Sequence, residues 1–209
     1  MGDIKGAIED YDTCLRLDPA IHEALVCRGN AHNRLSQFER AISDLDAAIR
    51  WHPDWPIALS NRGNARLGLG QLAEAIDDYD AALALRRDAK TLANRAAASM
   101  ALSNFDEAEN NLCEAIQREP VAVMFINRGL VRQELGRLVD ALADFDQGIS
   151  LGPVRPGYFR ARAGLKREMD DQAGADVDES SAKLLGPDER VRGRSGAYFV
   201  DESELQHRD

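Results

Sequence analysis

The strongest constraint on the fold is a segment of 23 residues that recurs along the chain with many letters unchanged. From Asn61 it reads NRGNARLGLGQLAEAIDDYDAAL. Related segments begin 34 residues earlier at Cys27, as CRGNAHNRLSQFERAISDLDAAI, and later at Asn127, as NRGLVRQELGRLVDALADFDQGI. Repetition with a period of about 20 to 50 residues is typical of arrays of stacked supersecondary units. The repeat therefore sets the register in which every other residue is interpreted.

The copies align on one alanine, which recurs at intervals of 33 or 34 residues, at Ala7, Ala41, Ala75, Ala108, Ala141 and Ala175. Four residues later a large side chain stands in all copies but the last, which has Glu179; the others have Tyr11, Leu45, Tyr79, Leu112 and Phe145. Seven residues later the side chain is small, as Cys14, Ala48, Ala82, Ala115, Gly148 or Ala182. Offsets of four and seven residues lie on one stripe of an α-helix. Each copy therefore predicts a packed helix, named here the second helix.

Prolines and glycines complete the unit. Twelve residues after the aligned alanine stands Pro19, Pro53, Pro120, Pro153 or Pro187, with Arg87 in the third copy. Proline ends a helix because it lacks an N–H group and disfavours helical geometry in the residue before it. Twelve residues before the alanine, an upstream first helix carries a tiny residue that lets its partner approach: Gly29, Gly63, Ala96, Gly129 or Ala163. Short polar breaks such as Leu69-Gly70-Gln71 separate the two helices, so each unit is a predicted helix–turn–helix hairpin.

This pattern resembles the tetratricopeptide repeat over residues 1–187. The resemblance implies an all-α, right-handed superhelical solenoid of hairpins. It divides the chain into a half repeat 1–21, full repeats 22–55, 56–88, 89–121 and 122–155, a degenerate repeat 156–187 and a C-terminal tail 188–209. The sequence departs from the family where an aromatic usually follows the small first-helix residue by three positions; here stand His32, Arg66, Ser99, Arg132 and Lys166.

Composition and motifs disfavour several classes of function. A net charge of −10 makes nucleic acid or an anionic membrane a poor partner. No run of 18 apolar residues suggests a membrane span, and we expect a cytoplasmic protein. Glycine-rich phosphate loops, HExxH, GxSxG and CxxC motifs are absent from the sequence. The three cysteines have no metal-like spacing and the four histidines are scattered, so we expect no enzyme, no metal site and no cofactor.

A row of charges accompanies the repeat. An arginine precedes the small first-helix residue in every full unit, as Arg28, Arg62, Arg95, Arg128 and Arg162. Three residues after each aligned alanine stands an aspartate, Asp10, Asp44, Asp78, Asp144 or Asp178, with Asn111 as the exception. A guanidinium group matches a carboxylate bidentately, so these residues predict an internal ladder rather than a ligand site. We expect pairing between repeats, for example Asp44 with Arg62, and a weak rung at Arg128 if it faces Asn111.

Partner binding is expected on the first helices, because stacked hairpins line a concave face with them. A stripe at offsets 0, 4 and 7 avoids the residues that face the second helix. It predicts a partner-binding groove at Val26, Asn30, Asn33, Ser60, Asn64, Leu67, Ala93, Ala97, Met100, Ile126, Leu130, Gln133, Arg160 and Arg167. Tetratricopeptide proteins that clamp a C-terminal carboxylate use lysines and asparagines here, and the scarcity of lysines makes such a clamp improbable in this chain.

The predicted function is a non-catalytic scaffold that holds a peptide segment or a partner protein in this groove. One alternative is a regulatory repeat domain truncated from a larger protein, since only a second helix precedes Pro19. Another is a self-assembling structural module in which this incomplete N-terminal repeat docks on another copy. In the tail, Tyr198, Phe199 and Val200 suggest an internal pseudo-ligand for the groove, or else a mobile tail or a cap on the last hairpin.

Overall fold

The computed structural model describes residues 3–153 and 155–186, which consist of α-helices joined by short turns. In chain order the helices are α1 (Ile4–Leu17), α2 (His22–Arg34), α3 (Phe38–Trp51), α4 (Pro56–Leu69), α5 (Leu72–Leu85), α6 (Ala89–Ala101), α7 (Phe105–Arg118), α8 (Ala122–Glu134), α9 (Leu138–Leu151), α10 (Pro156–Glu168) and α11 (Gln172–Leu184). These residues contain no β-strand. The predicted all-α fold of helix–turn–helix hairpins is confirmed for the described part of the chain.

The chain divides into two compact units, residues 1–87 and residues 88–209. In unit 1, α1 precedes the hairpins α2–α3 and α4–α5. In unit 2 the described helices form the hairpins α6–α7, α8–α9 and α10–α11. Within both units the two helices of a hairpin pack on each other, and the second helix of one hairpin packs on the first helix of the next. The core of unit 1 includes the aligned residues Ala41, Leu45 and Ala48 together with Ala58 and Ala65 of α4.

Local sequence signals set the helix ends. The helices α1, α3, α7 and α9 stop two residues before Pro19, Pro53, Pro120 and Pro153, as the missing N–H group of proline requires. The turn inside each hairpin contains one residue with positive φ, and these are Ser36, Gly70, Ser103, Gly136 and Asp170. The left-handed conformation ends the first helix and reverses the chain within a few residues.

The small residues of the first helices are packing sites, as predicted. A Cβ atom at Gly63 would lie 2.7 Å from Cε1 of Tyr79, and one at Gly129 would lie 2.6 Å from Cε1 of Phe145. A Cβ atom at Gly29 would similarly lie 2.8 Å from Cγ of Leu45. The large residue of each second helix therefore occupies the space that a side chain on the glycine would fill.

The predicted arginine–aspartate ladder is confirmed, but its main rungs lie within hairpins. Arg28 donates through Nε and Nη2 to the two carboxylate oxygens of Asp44 at 2.8 and 2.6 Å. The same bidentate pair joins Arg62 to Asp78, with Nη2 2.7 Å from Oδ1. It recurs for Arg128 with Asp144 and for Arg162 with Asp178. The expected pairing of Asp44 with Arg62 is therefore wrong.

Connections between hairpins use a different acid, two residues further along the second helix. Nη1 of Arg62 donates to Asp46 at 2.6 Å. Its counterpart in Arg28 donates to Asp12 at 2.5 Å, and that of Arg162 to Asp146 at 2.5 Å. At Arg128 this place is taken by Cys113, whose Sγ atom accepts from Nη1 at 3.4 Å. Each of these four arginines thus holds two successive hairpins within one unit.

The weak rung lies at hairpin α6–α7 and not at Arg128, which has the full carboxylate pair with Asp144. Asn111 replaces the aspartate of that hairpin, and its amide nitrogen is buried without a hydrogen-bond partner among the described residues. Arg95 pairs instead with Glu107, at 2.8 Å. The expectation that Arg128 would lack a carboxylate was wrong because its partner belongs to its own hairpin.

The unusual residues at the family's aromatic position supply a second cation to the buried aspartates. Arg66 lies 2.8 Å from Asp78, and Lys166 lies 3.0 Å from Asp178. Arg132 contacts Asp144 at 2.9 Å. In hairpin α6–α7, where the aspartate is missing, Ser99 occupies the position and donates to Glu107 at 3.1 Å. The departure from the family pattern therefore follows from the need to pair a buried carboxylate.

Parts of the predicted organisation lie outside the described residues. Pro187, the boundary between the degenerate repeat 156–187 and the tail, is one of them. The pseudo-ligand hypothesis for Tyr198, Phe199 and Val200 also falls on residues that the structure does not describe. Both stay predictions.

We expect Arg62→Ala to lower the free energy of unfolding by about 1–3 kcal/mol, because it leaves Asp78 buried without its bidentate partner. Asp78 is 3% exposed, so water cannot replace the guanidinium group. Urea unfolding followed by circular dichroism measures the change. Arg50→Ala, at an exposed position of α3, is the control and should change little. Equal effects of the two substitutions would contradict a structural ladder.

Acid should weaken the rung at Asp178. Burial alone would raise the pKa of Asp178, but hydrogen bonds from Arg162 and Lys166 outweigh it and hold this pKa below the ordinary value. A lowered pKa in the folded state means that the stabilisation is complete above the ordinary aspartate pKa of about 3.9 and is lost as the pH falls through the lower folded value.

We therefore expect the stability difference between the natural chain and Asp178→Asn to be largest near neutral pH and to shrink below about pH 4. Chemical unfolding at a series of pH values measures this difference. Asp77→Asn, at an exposed position, supplies the baseline. A difference for Asp178→Asn that stays constant down to pH 3 would show that the ion pair contributes nothing.

Candidate partner-binding surface

The first helices form a continuous layer within each unit. In unit 1, α2 contacts α4, and in unit 2, α8 contacts both α6 and α10. We call the side of this layer that faces away from the second helices the first-helix face. The predicted groove residues lie on these helices, so the burial of each side chain shows whether it reaches this face.

Half of the predicted groove residues are buried. Val26 is 5% exposed and belongs to the core of unit 1 beside Leu45. Ile126 is fully buried, and its Cδ1 atom lies 2.7 Å from the position of a Cβ on Gly148. Both point toward the second helix of their own hairpin, which corrects the expectation that their stripe avoids it. The others in this half are Ser60, Leu67, Ala93, Ala97 and Met100, each at most 8% exposed.

The amides of unit 1 are partly exposed, but two of them make internal hydrogen bonds. Asn33 of α2 donates through Nδ2 to the backbone carbonyl of Asn61 in α4, at 2.7 Å. The Oδ1 atom of Asn64 accepts from the hydroxyl group of Tyr79 at 2.8 Å. Burial holds the pKa of Tyr79 well above its ordinary value, so this hydroxyl stays protonated and donates. Asn30 is also half-buried. These amides therefore connect helices as well as facing outward.

In unit 2 the first-helix face is polar and partly apolar. Leu130 of α8 is half-buried, and Gln133 donates to Glu168 of α10 at 2.7 Å. Arg167 is exposed and donates to Glu179 at 2.9 Å, so the acid at the large-residue position of the last hairpin is paired. Arg160 is exposed and has no hydrogen-bond or ion-pair partner within residues 3–153 and 155–186. The face thus offers one uncommitted cation beside a half-buried leucine.

Gly164 lies between Arg160 and Arg167 on α10 and differs from the packing glycines. A Cβ atom built on it would have no described atom within 4 Å. A glycine inside a helix costs about 0.5–1 kcal/mol relative to alanine, and close packing usually explains it. At Gly164 packing within the described chain gives no such reason. The glycine leaves open space on the first-helix face, where a ligand backbone could approach closely.

The described residues show no site for chemistry or for membrane crossing. They contain no group of three or more histidine, cysteine or acidic side chains placed to hold a metal ion. Among their helices, none combines the length and apolar character that a membrane span needs. Cys14, Cys27 and Cys113 are free thiols. The structure does bring His22 and His52 into contact, although they are 30 residues apart and the sequence gave no motif that joins them.

The family model that matches the sequence is described as Tetratricopeptide repeat, and it covers residues 1–53 and, overlapping, 28–90. No curated protein matches the chain. Among solved structures, a chain of the APC/C hetero-tetramer Cut9–Hcn1 has a TM-score of 0.80 at 13% identity. That match covers 88% of this chain, which therefore spans only 37% of its length.

Two similar structures are closer in size. PilW, a type IV pilus biogenesis factor, has a TM-score of 0.80 at 21% identity, with 87% of this chain and 86% of PilW covered. PilF of Pseudomonas aeruginosa has a TM-score of 0.73 at 21% identity, with 80% of this chain and 78% of PilF covered. At these identities the similarity establishes the shared fold.

Two glycine substitutions should have opposite effects on stability. Gly164→Ala should raise the free energy of unfolding by about 0.5–1 kcal/mol, because it adds helix propensity in open space. Gly63→Ala should lower it by about 1–3 kcal/mol, because the new Cβ collides with the buried ring of Tyr79. Thermal and urea unfolding measure both. If Gly164→Ala destabilised the chain as Gly63→Ala does, Gly164 would be a packing residue.

Proposed function

Because the chain is built from tetratricopeptide repeats, we propose that it is a non-catalytic scaffold that holds a peptide segment or a partner protein on its first-helix face. Repeat arrays of this kind typically bind proteins on the surface that their first helices line. The finer part of the proposal is the location of the contact. We assign it to the part of unit 2 around Leu130, Arg160 and Gly164.

The open space at Gly164 is the observation that carries this assignment. Internal packing does not require the glycine, and the neighbouring Arg160 has no partner in the described chain. A partner backbone could pass close to α10 at Gly164 while an acidic group of the partner pairs with Arg160. Leu130, half-buried on the adjacent α8, would offer apolar contact. The combination favours an extended partner segment with an apolar and an acidic side chain.

The face of unit 1 supports a more selective contact. Asn33 and Asn64 are already hydrogen-bonded to α4 and Tyr79, so a partner would meet groups whose orientation is fixed. Fixed polar groups lose little entropy on binding. Asn30, Asn33 and Asn64, together with Gln133 and Arg167 in unit 2, therefore stay in the proposal as contacts. Val26 and Ile126 contribute through the core that positions the helices.

The similar structures agree with a role in assembly. One forms a hetero-tetramer and another is a pilus biogenesis factor. For this chain an assembly role, the absence of catalysis and a cytoplasmic location are all proposals. Self-association through the N-terminal helix also stays a prediction; α1 contacts α2 and contains no buried residue.

The test compares three forms of the full chain as affinity bait in lysate of the source cells, with bound proteins quantified by mass spectrometry. Gly164→Trp should reduce capture of specific partners by about tenfold or more, because it fills the space that a partner backbone needs. Gly164→Ala is the matched control and should retain them. Ala97, at 1% exposure, is unsuitable for a blocking substitution because a large residue there would disrupt packing.

Arg160→Glu provides a second, independent probe, because it reverses charge on an exposed side chain without filling the space at Gly164. Circular dichroism confirms folding of every variant. Loss of the same partners with Gly164→Trp and Arg160→Glu supports the assignment. Unchanged capture with both variants would remove unit 2 as the contact surface.

A further inference from the structure

Both tryptophans of the chain and two of its four histidines meet at the open end of hairpin α2–α3. His22 is the first residue of α2, and His52 follows Trp51 at the end of α3. The rings of His22 and Trp51 are stacked with centroids 4.9 Å apart. Trp55 meets the ring of His52 edge-on at 5.5 Å. The backbone at His52 is fixed, because its N–H group donates to the carbonyl of Ala48.

The two imidazoles face each other through one nitrogen each. Nδ1 of His22 lies 3.3 Å from Nε2 of His52, and the ring centroids are 5.2 Å apart at an interplanar angle of 67°. In a straight N–H···N hydrogen bond of that length the centroids would be about 5.6 Å apart, since each nitrogen lies about 1.15 Å from its ring centre. The shorter separation is consistent with two ring axes that are bent toward a common point beside the N···N line.

This geometry is that of two imidazoles on one tetrahedral ion. Zinc binds imidazole nitrogen at about 2.0–2.1 Å in tetrahedral sites, which places two such nitrogens about 3.3 Å apart and their ring centres about 5.2 Å apart. A square-planar or octahedral ion would need adjacent nitrogens about 2.9 Å apart at the same bond length. The observed distances match the tetrahedral values for both measurements.

We propose that Nδ1 of His22 and Nε2 of His52 form a binding site for Zn²⁺, with water in the remaining coordination positions. Because no third protein ligand is present in the described residues, the site is open. His52 and Trp51 are exposed, so an ion reaches the site without rearrangement of the core. Open coordination positions are those in which zinc binds a further ligand, such as a carboxylate or imidazole from another molecule.

The protonation state of His22 limits the affinity. Zinc binds neutral imidazole, so Nδ1 must give up its proton and Nε2 must carry it. Nε2 of His22 is buried and has no hydrogen-bond partner in the described chain. Ligating histidines elsewhere usually donate this second N–H group to a carboxylate or carbonyl, which strengthens the metal bond. We therefore expect weaker binding than at a structural zinc site with four protein ligands.

Metal binding would fasten unit 1 at a specific place. His22 and His52 mark the two ends of hairpin α2–α3, whose helices are joined at the opposite end by the turn at Ser36. An ion shared between them would close a loop of chain and favour the folded hairpin over its open state. The bound ion should slow amide exchange in α2 and α3 and raise the melting temperature.

The two tryptophans make the site directly observable, since the chain has no others. Full-length protein without a histidine tag is titrated with Co²⁺, which takes the place of Zn²⁺ and quenches nearby fluorescence, and Zn²⁺ is then added to displace it. We expect saturable quenching with one ion per chain, the intense visible absorption of tetrahedral Co²⁺, and recovery of fluorescence with Zn²⁺. Calorimetry with Zn²⁺ alone measures the affinity.

The variants separate a designed site from metal bound elsewhere. His22→Gln and His52→Gln each remove one ligand and should weaken binding by about tenfold or more, a loss at least as large as that expected for an outer hydrogen bond. His52→Cys keeps a zinc ligand and should retain binding. His207→Gln is the control for metal bound by the remainder of the chain. Thermal unfolding in the presence of a chelator verifies that all variants fold.

Each outcome decides the proposal. One-to-one binding that is lost in both glutamine variants and retained in His52→Cys and His207→Gln supports it. Affinity that is the same in His52→Gln as in the natural chain overturns it, as does a weak octahedral Co²⁺ spectrum. A melting temperature that Zn²⁺ raises equally in the natural chain and in His22→Gln would likewise exclude the site.

Discussion

The buried carboxylate of the second helix is the constraint on which most of the structure depends. Asp44, Asp78, Asp144 and Asp178 are at most 7% exposed, and a buried unpaired charge would cost several kcal/mol. Each therefore sits in the planar fork of an arginine of the same hairpin, which fixes how far the two helices can slide past each other. The position beside the packing glycine then holds the arginine against the second helix. Packing and charge pairing thus impose the same register.

Much of the fold could be predicted because the period, the prolines and the small residues act locally. The ladder was predicted in its residues but not in its connections. Arg62 is 16 residues from both Asp78 and Asp46, one in its own hairpin and one in the preceding hairpin, and spacing alone does not distinguish them from Asp44. The preference for Asp44 failed because that acid is held by Arg28. Which acid an arginine reaches depends on the angle between helices, which the sequence pattern does not contain.

The candidate surface was predicted less well for a similar reason. Val26 and Leu130 lie on the same predicted stripe, yet one is core and the other is half-exposed. Gly63 and Gly164 are the same residue on corresponding helices, but only Gly63 has a ring against it. His22 and His52 are brought together by the closure of a hairpin, and no spacing rule relates them. Exposure and long-range contacts of this kind depend on how the elements are arranged in space.

The arginines that connect consecutive hairpins also determine how such a chain can be cut and recombined. Arg62 holds Asp46 in the preceding second helix and Asp78 in its own, so its function crosses the apparent boundary between repeats. A genetic duplication that begins at a first helix carries the arginine without the acid that it needs upstream. The natural unit of exchange is therefore a second helix together with the first helix that follows it. At Cys113, where a thiol replaces the acid, this dependence is weakest, and insertion of a new unit would disturb the least.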